Sequence, residues 1–441
     1  MARFRPRAAS LVVVGILMAL AALASATPSL VPGRDGTTRQ IAAAAIFVAS
    51  YAALAMGKIP GMAIDRAGVA LVGAGLMVAA GALPLDAAYA AIDLDTITLL
   101  LGMMIVVANL RLSGFFAVSN TWVAARAGRP VVLLAAVIGV SGVFSAFLVN
   151  DAICLVLAPL VADLTKGARR DPVPYLLGVA LASNVGSVAT ITGNPQNIMI
   201  GSLSRIPYAT FAATLAPVAL AGLVMTFVLL VLLFRREFLS GERLAPTPPV
   251  LRVNRILIAR SLVATIAVIA LFFAGQPPAK AAIIVGAMLL LTRRVRSTRV
   301  YAEIDWSLLL MFSGLFIIVA GAEKALLTPD LIATAGRLHL DQAWVLSGLT
   351  AVLSNLVSNV PAVLMLKPFV AALPDQSGAW LIVAMASTLA GNFTVLGSIA
   401  NLIVIEKASR RGVTIGIWDY ARVGMPLTVL TLLAGTWWLS R

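Results

Sequence analysis

The chain has 441 residues, of which 61% are hydrophobic and only 12% charged, and its mean hydropathy is +1.00. That balance excludes a soluble protein, which must keep a hydrated surface, and describes a polytopic membrane protein. The formal charge of +15 lies in short basic clusters between apolar runs, not in a basic stripe interleaved with aromatics, so it speaks for a membrane and against nucleic acid.

In chain order, Arg3, Arg5 and Arg7 precede an apolar stretch that ends near Ala24-Ser25-Ala26. This resembles a cleavable signal peptide, but the many spans that follow favour a retained first helix over about 8–30. Further runs long enough to cross ~30 Å of hydrocarbon lie near 40–57, 67–83, 95–111, 211–234, 256–274, 279–293, 306–323 and 413–439. Two more crossings, 174–201 and 378–407, carry Gly, Thr, Ser and Asn through their middles and are expected to be broken helices. The runs 131–164 and 342–373 are long enough to enter and return, with Asn150-Asp151 and Ser358-Asn359 at their midpoints, and are expected to be re-entrant hairpins.

The expected fold is an all-α polytopic membrane protein of about eleven transmembrane helices plus two re-entrant hairpins. Its expected parts are an N-terminal helix and loop (1–39), a first repeat (40–234), a polar, basic cytoplasmic linker (235–255) and a second repeat (256–441). With a cytoplasmic N-terminus, 25 Lys and Arg fall inside and 7 outside, Lys367 lying within the second hairpin, as the positive-inside rule demands. The two repeats then start from opposite faces and are inverted in topology.

The repeat is visible in the residues. FLVNDAICLVLAP (147–159) and SNVGSVATITGNPQNIMIG (183–201) answer NLVSNVPAVLMLKP (355–368) and STLAGNFTVLGSIANLIVIE (387–406). Asn150, Leu155, Leu157 and Pro159 precede Asn359, Leu364, Leu366 and Pro368 by 209 positions; Ser183, Thr190, Gly193 and Asn197 precede Ser387, Thr394, Gly397 and Asn401 by 204. Irregular polar backbone at membrane depth survives only where protein buries it or a wet cavity borders it, so a doubled break points to a solute or ion site between the repeats.

Asp151, at a hairpin tip, would place a carboxylate near the bilayer midplane, where ionisable groups usually belong to an ion or proton path; a permanent N-cap is the plainer alternative. Lys367 reads as a snorkelling side chain, with pairing to an anion as the alternative. Cys154 in its apolar run reads as a small hydrophobe, and with His339 as the one histidine the chain has no disulfide framework and no zinc constellation. No G-x-x-x-x-G-K-[ST] loop occurs, and Gly73-Ala74-Gly75 lies inside an apolar helix, so any pumping must draw on an ion gradient or on an ATPase partner outside this chain.

The FxxNDAxxLxLxP run, the GNPQN break, NLVSNVPAVL and TLAGNxTxLGSxANLIV resemble the ion transporter superfamily of arsenite permeases, sodium/proton antiporters and divalent anion symporters of the citrate type. The dicarboxylate branch carries Ser-Asn-Thr at each tip, where it helps hold sodium; here the tips are Val149-Asn150-Asp151 and Ser358-Asn359-Val360, so the first looks closer to the arsenite-permease branch. The resemblance implies substrate or ion ligands at Asn150, Asp151, Thr190, Gly193, Asn194 and Asn197 in one half-site, and at Ser358, Asn359, Thr394, Gly397, Ser398 and Asn401 in the other. It also implies sodium at Asn150, Asp151 and Asn359, or a proton, as coupling ion, with no other cofactor and no catalytic residues. Homodimers, elevator-like movement and, for an arsenite-type member, an ATPase partner follow from the same likeness.

The expected function is secondary transport of a small anion or neutral oxyacid such as arsenite across the inner membrane. A sodium/proton antiporter is the alternative, and an intramembrane enzyme or a non-transporting sensor is disfavoured.

Overall fold

Backbone in lipid must satisfy its own hydrogen bonds, and here it does so by helix throughout: the computed structural model describes residues 35–56, 63–238, 254–291, 295–326 and 338–441, and no strand occurs among them. The expected helix over 8–30 and most of the linker lie outside the described residues.

The first half runs α1 (Asp35–Met56), α2 (Arg66–Ala79), α3 (Leu85–Ala91), α4 (Leu94–Ser113), α5 (Phe115–Arg126), α6 (Pro130–Phe147), α7 (Asn150–Gly167) and α8 (Pro172–Ser187). A 3₁₀ turn at Ile191–Gly193 separates α8 from α9 (Pro195–Ser204), and α10 (Tyr208–Leu233) and α11 (Arg235–Phe238) follow. The second half runs α12 (Arg255–Phe273), α13 (Pro278–Leu290), α14 (Ser297–Tyr301), α15 (Trp306–Leu326), α16 (Ala343–Val357), α17 (Asn359–Val370) and α18 (Gln376–Ala390). A second 3₁₀ turn, Val395–Gly397, leads to α19 (Ile399–Ser409), and α20 (Ile417–Leu439) closes the chain.

Helix ends follow local chemistry. Asp93 caps α4 by accepting the Thr96 amide at 2.9 Å, and Gly114, at φ 84°, ends it in the left-handed conformation that glycine takes without strain. Asp171 accepts the Val173 amide at 3.0 Å ahead of Pro172, whose missing N–H costs nothing in a first turn.

Each apolar run expected between 40 and 439 holds a helix, but among the described residues only six are long and apolar enough to cross a membrane individually: Arg39–Met56, Leu94–Ser113, Pro130–Phe147, Tyr208–Leu233, Arg255–Phe273 and Trp306–Ala325. Of the other crossings, α20 is 23 residues long but less apolar, and the rest are shorter or composite. One of the six, α6, is the first limb of an expected re-entrant hairpin; its 18 residues span ~27 Å at 1.5 Å per residue, so length alone does not separate it from a full crossing. Its tip, not its length, marks it as a limb. Helices α3, α5 and α14 were not foreseen, because they are short or interrupted by polar residues.

The halves interlock. Helix α2 packs on α15, and α13 packs on α4. A Cβ at Gly314 would stand 2.6 Å from the Ala70 carbonyl carbon, and one at Gly102 would stand 2.5 Å from that of Ala282, so both crossings need glycine for backbone-to-backbone contact. Inside this frame, α6 packs on α8 and α16 on α18, while each outgoing half-helix meets the other half's hairpin: α19 on α7, and α9 on α17.

Candidate functional site between two hairpin tips

Both hairpins turn through a non-glycine residue of positive φ: Val149 (47°) between α6 and α7, and Ser358 (79°) between α16 and α17. For a β-branched valine this conformation costs ~1–3 kcal/mol and persists only where the surroundings enforce it. Part of that enforcement is visible, since the Val149 amide donates to the Thr192 carbonyl at 3.2 Å, inside the first break. Neither α7 nor α17 has a side-chain cap, so both begin with free N-terminal amides.

The two breaks are built alike. Thr190 and Thr394 leave helical geometry for extended backbone, a 3₁₀ turn follows, and Asn194 and Ser398 then cap α9 and α19 by accepting the Asn197 amide (2.8 Å) and the Ala400 amide (3.2 Å). Breaking a helix frees carbonyls, and two asparagines take them up. Asn197 Nδ2 donates to the Ser187 and Thr190 carbonyls, both at 3.1 Å; Asn401 Nδ2 donates to those of Gly391 (2.8 Å) and Thr394 (3.3 Å). A Cβ at Gly193 would collide with the Ser187 carbonyl, and one at Gly397 would lie 2.9 Å from that of Gly391.

A second layer ties break to break. Asn184 Nδ2 donates to Asn392 Oδ1 (2.8 Å) and Asn401 Oδ1 (3.1 Å), while Asn184 Oδ1 accepts from Ser398 Oγ (3.0 Å) and Asn150 Nδ2 (2.9 Å). In return, Thr388 Oγ1 accepts from Asn194 Nδ2 and Gln196 Nε2, both at 3.1 Å. Asn184 and Thr388 are 2% and 1% exposed, so these bonds form in a dry interior where an unmade one is costly. Each half thus reaches into the other's break.

The tips meet over this layer. A cleft of about 510 Å³ is bordered by Asn150 and Asp151 from one tip, Ser358 and Asn359 from the other, Ser398 and Gln196 from the outgoing half-helices, and Arg66, Leu308 and Met311 from α2 and α15. Only about 30 Å³ of it is free to the centre of a water-sized sphere, room for a couple of waters or a solute of a few heavy atoms. Asn150 is 4% exposed, and its Oδ1, though buried, has no hydrogen-bond partner. Asn359 Oδ1 is engaged by Ser354 Oγ at 2.5 Å.

Of the twelve residues singled out in the sequence, Asn150, Asp151, Ser358, Asn359 and Ser398 border the cleft. Thr190, Gly193, Asn194, Asn197, Thr394, Gly397 and Asn401 are absent from its walls and build the breaks, the side chains of Thr190, Asn194, Asn197 and Asn401 being engaged with protein partners. Asn184, Ser187, Gln196, Thr388 and Asn392 were missed. Three of them, Asn184, Ser187 and Gln196, stand inside the quoted motif around the first break, so polarity in an apolar setting was the available signal. Lys367 pairs with Glu323 of α15 at 3.2 Å, so at its tip it meets a carboxylate.

Among the described residues, helical spans whose paired breaks and hairpin tips border a polar cleft have the architecture of a membrane transporter. The chain belongs to the citrate transporter family (CitMHS), whose profile matches residues 51–390. It is 30% identical over 421 residues to an uncharacterized transporter of Mycobacterium tuberculosis, covering 89% of this chain and 96% of the relative. It is 29% identical over 451 residues to the silicon efflux transporter of Oryza sativa subsp. japonica, covering 86% and 93%. The crystal structure of the Alcanivorax borkumensis YdaH transporter superposes with a TM-score of 0.58 at 14% identity, over 91% of this chain and 97% of that one, which establishes the fold alone.

Proposed function

We propose that the chain is a secondary transporter of the cell's inner membrane that moves a small oxyacid or anion through the cleft between the tips, coupled to protons or sodium at Asp151. The observation that carries this is the cleft itself, bordered by Asp151 and by Asn150, whose buried Oδ1 has no hydrogen-bond partner. Two acceptor side chains on one cleft call for a hydroxyl donor or a cation. Arg66, on the same cleft, and the uncapped starts of α7 and α17 suit oxygen atoms of partial or full negative charge. A hydroxylated oxyacid satisfies both sets at once. The small free volume favours arsenite or silicic acid over citrate, and the rice relative's name, silicon efflux transporter, points the same way.

The like order of elements, hairpin, break and final helix, supports two inverted repeats, 40–234 and 256–441, and the 25-to-7 distribution of Lys and Arg supports a cytoplasmic N-terminus. Direct ligands in this proposal are Asn150, Asp151, Ser358, Asn359 and Ser398; the remaining seven residues hold the breaks open. The acceptor pair also suits a sodium ion alone, which would make the chain a sodium/proton antiporter.

Proteoliposomes loaded with a pH-sensitive dye test this. Arsenite or silicic acid is expected to move down an imposed proton or sodium gradient, and Asp151→Asn to abolish the dependence on that gradient. Gradient-independent flux in both proteins would sink the coupling; sodium-driven proton movement with no oxyacid flux would establish the antiporter.

A further inference from the structure

Asp151 borders two cavities, not one. The second is a chamber of about 670 Å³, with apolar walls from α4, α7 and α19 and a charged end made by Arg111, Glu303 and Asp305. Arg111, in the last turn of α4, pairs with Glu303, and both remain partly exposed, so the charged end reaches the surface at the margin of the span. Asp305, in the turn before α15, borders the same chamber as Asp151 and accepts the Leu308 amide at 3.0 Å. The charged groups that share a cavity with Asp151 are therefore Arg66 in the tip cleft and Asp305, Glu303 and Arg111 in the chamber.

The two cavities differ in sign. The tip cleft sets one guanidinium and two uncapped helix starts against one carboxylate. The chamber sets three carboxylates against one guanidinium, and that guanidinium is already committed to Glu303. A low-dielectric cleft with an excess of one charge concentrates counter-ions and excludes ions of its own sign. We infer that the chamber is the route by which a small cation, a proton or sodium, reaches Asp151 from the membrane face bearing Arg111 and Glu303, separate from the path of the solute. Asp305 is the intermediate acceptor, and the Arg111–Glu303 pair stands at the mouth. The inference rests on Asp151 being the coupling group; a solute in the tip cleft and an ion in the chamber then meet at one carboxylate that borders both.

Cys154 is the chain's one cysteine and is buried, so Cys154→Ala gives a clean background. Ala152→Cys and Leu155→Cys place a thiol in the chamber wall, and Ser409→Cys supplies an exposed reference. Oriented vesicles are treated with cationic 2-aminoethyl or anionic 2-sulfonatoethyl methanethiosulfonate. Both chamber thiols are expected to react from one face only, with a cation-to-anion rate ratio about tenfold above that of the reference, and Asp305→Asn is expected to lower that ratio. Equal ratios, or no modification at either position in protein that keeps its thermal stability, would overturn the chamber as a cation route.

A second arm follows proton flux by dye and sodium flux by isotope, telling the two ions apart. Asp305→Asn is expected to slow the coupled ion about tenfold. If Asp305→Asn is silent while Asp151→Asn abolishes coupling, the route is wrong and the site stands. If both are silent, the coupling assignment itself has failed, and the labelling alone decides the chamber.

Discussion

The two hairpin tips share a backbone and differ in chemistry. Val149 and Ser358, 209 positions apart, both hold positive φ, and each is followed by an asparagine that starts a helix without a side-chain cap. The next residue is Asp151 in one tip and Val360 in the other. Duplicated geometry therefore provides a two-sided cleft, and a single unduplicated carboxylate gives it polarity. The unpartnered Asn150 Oδ1 lies on the charged side, whereas Asn359 Oδ1 is closed off by Ser354. At the tips, one asparagine oxygen is left without a protein partner and its counterpart is braced.

The sharpest way to break the comparison is at the breaks. Gly193→Ala drives a methyl into the Ser187 carbonyl and is expected to cost about 3 kcal/mol or more, enough to lose the folded protein on size exclusion. Gly397→Ala, with 2.9 Å to the Gly391 carbonyl, should leave a recoverable protein of lowered melting temperature. Equal losses would mean the breaks are not braced differently. Next in size, Asp151→Asn is expected to lower gradient-driven flux about a hundredfold, roughly 2.7 kcal/mol in barrier, with unchanged thermal stability, whereas Val360→Ala on the other tip should leave coupling within about twofold.

A smaller effect separates the cross-links. Asn184→Leu strands partners in four residues and is expected to destabilise by about 2 kcal/mol, while Thr388→Val, which releases fewer groups, should cost about 1 kcal/mol. Thermal unfolding in one detergent ranks the two; the reverse order would displace Asn184 as the hub. Least of all, Lys367→Met removes a half-exposed ion pair with Glu323 and should change stability by under about 1 kcal/mol, a shift that Glu323→Gln should reproduce.

What the sequence made legible was whatever repeats by residue identity against an apolar background. Thr190 and Thr394, Gly193 and Gly397, and Asn197 and Asn401 recur at one offset, and each pair occupies matching positions in the two breaks. Their division of labour was not legible, because an asparagine that clamps freed carbonyls and one that faces a solute look alike in a string of letters. Asn184 and Thr388 are also 204 positions apart and do the same work, but unlike side chains in matching places leave no repeat to notice. Gly102 and Gly314 were hidden differently: glycines are common in this chain, and only the crossing with Ala282 and Ala70 shows that these two are obligatory.

Those crossings carry a lesson about biogenesis. Ribosomes deliver α2 and α4 long before α13 and α15, so during synthesis the surfaces around Ala70 and Gly102 face lipid without their partners. A nascent chain halted at residue 238 would hold inserted helices yet no finished scaffold. Closure of the scaffold thus waits for the second set of spans, which bring the partners that these two surfaces pack against.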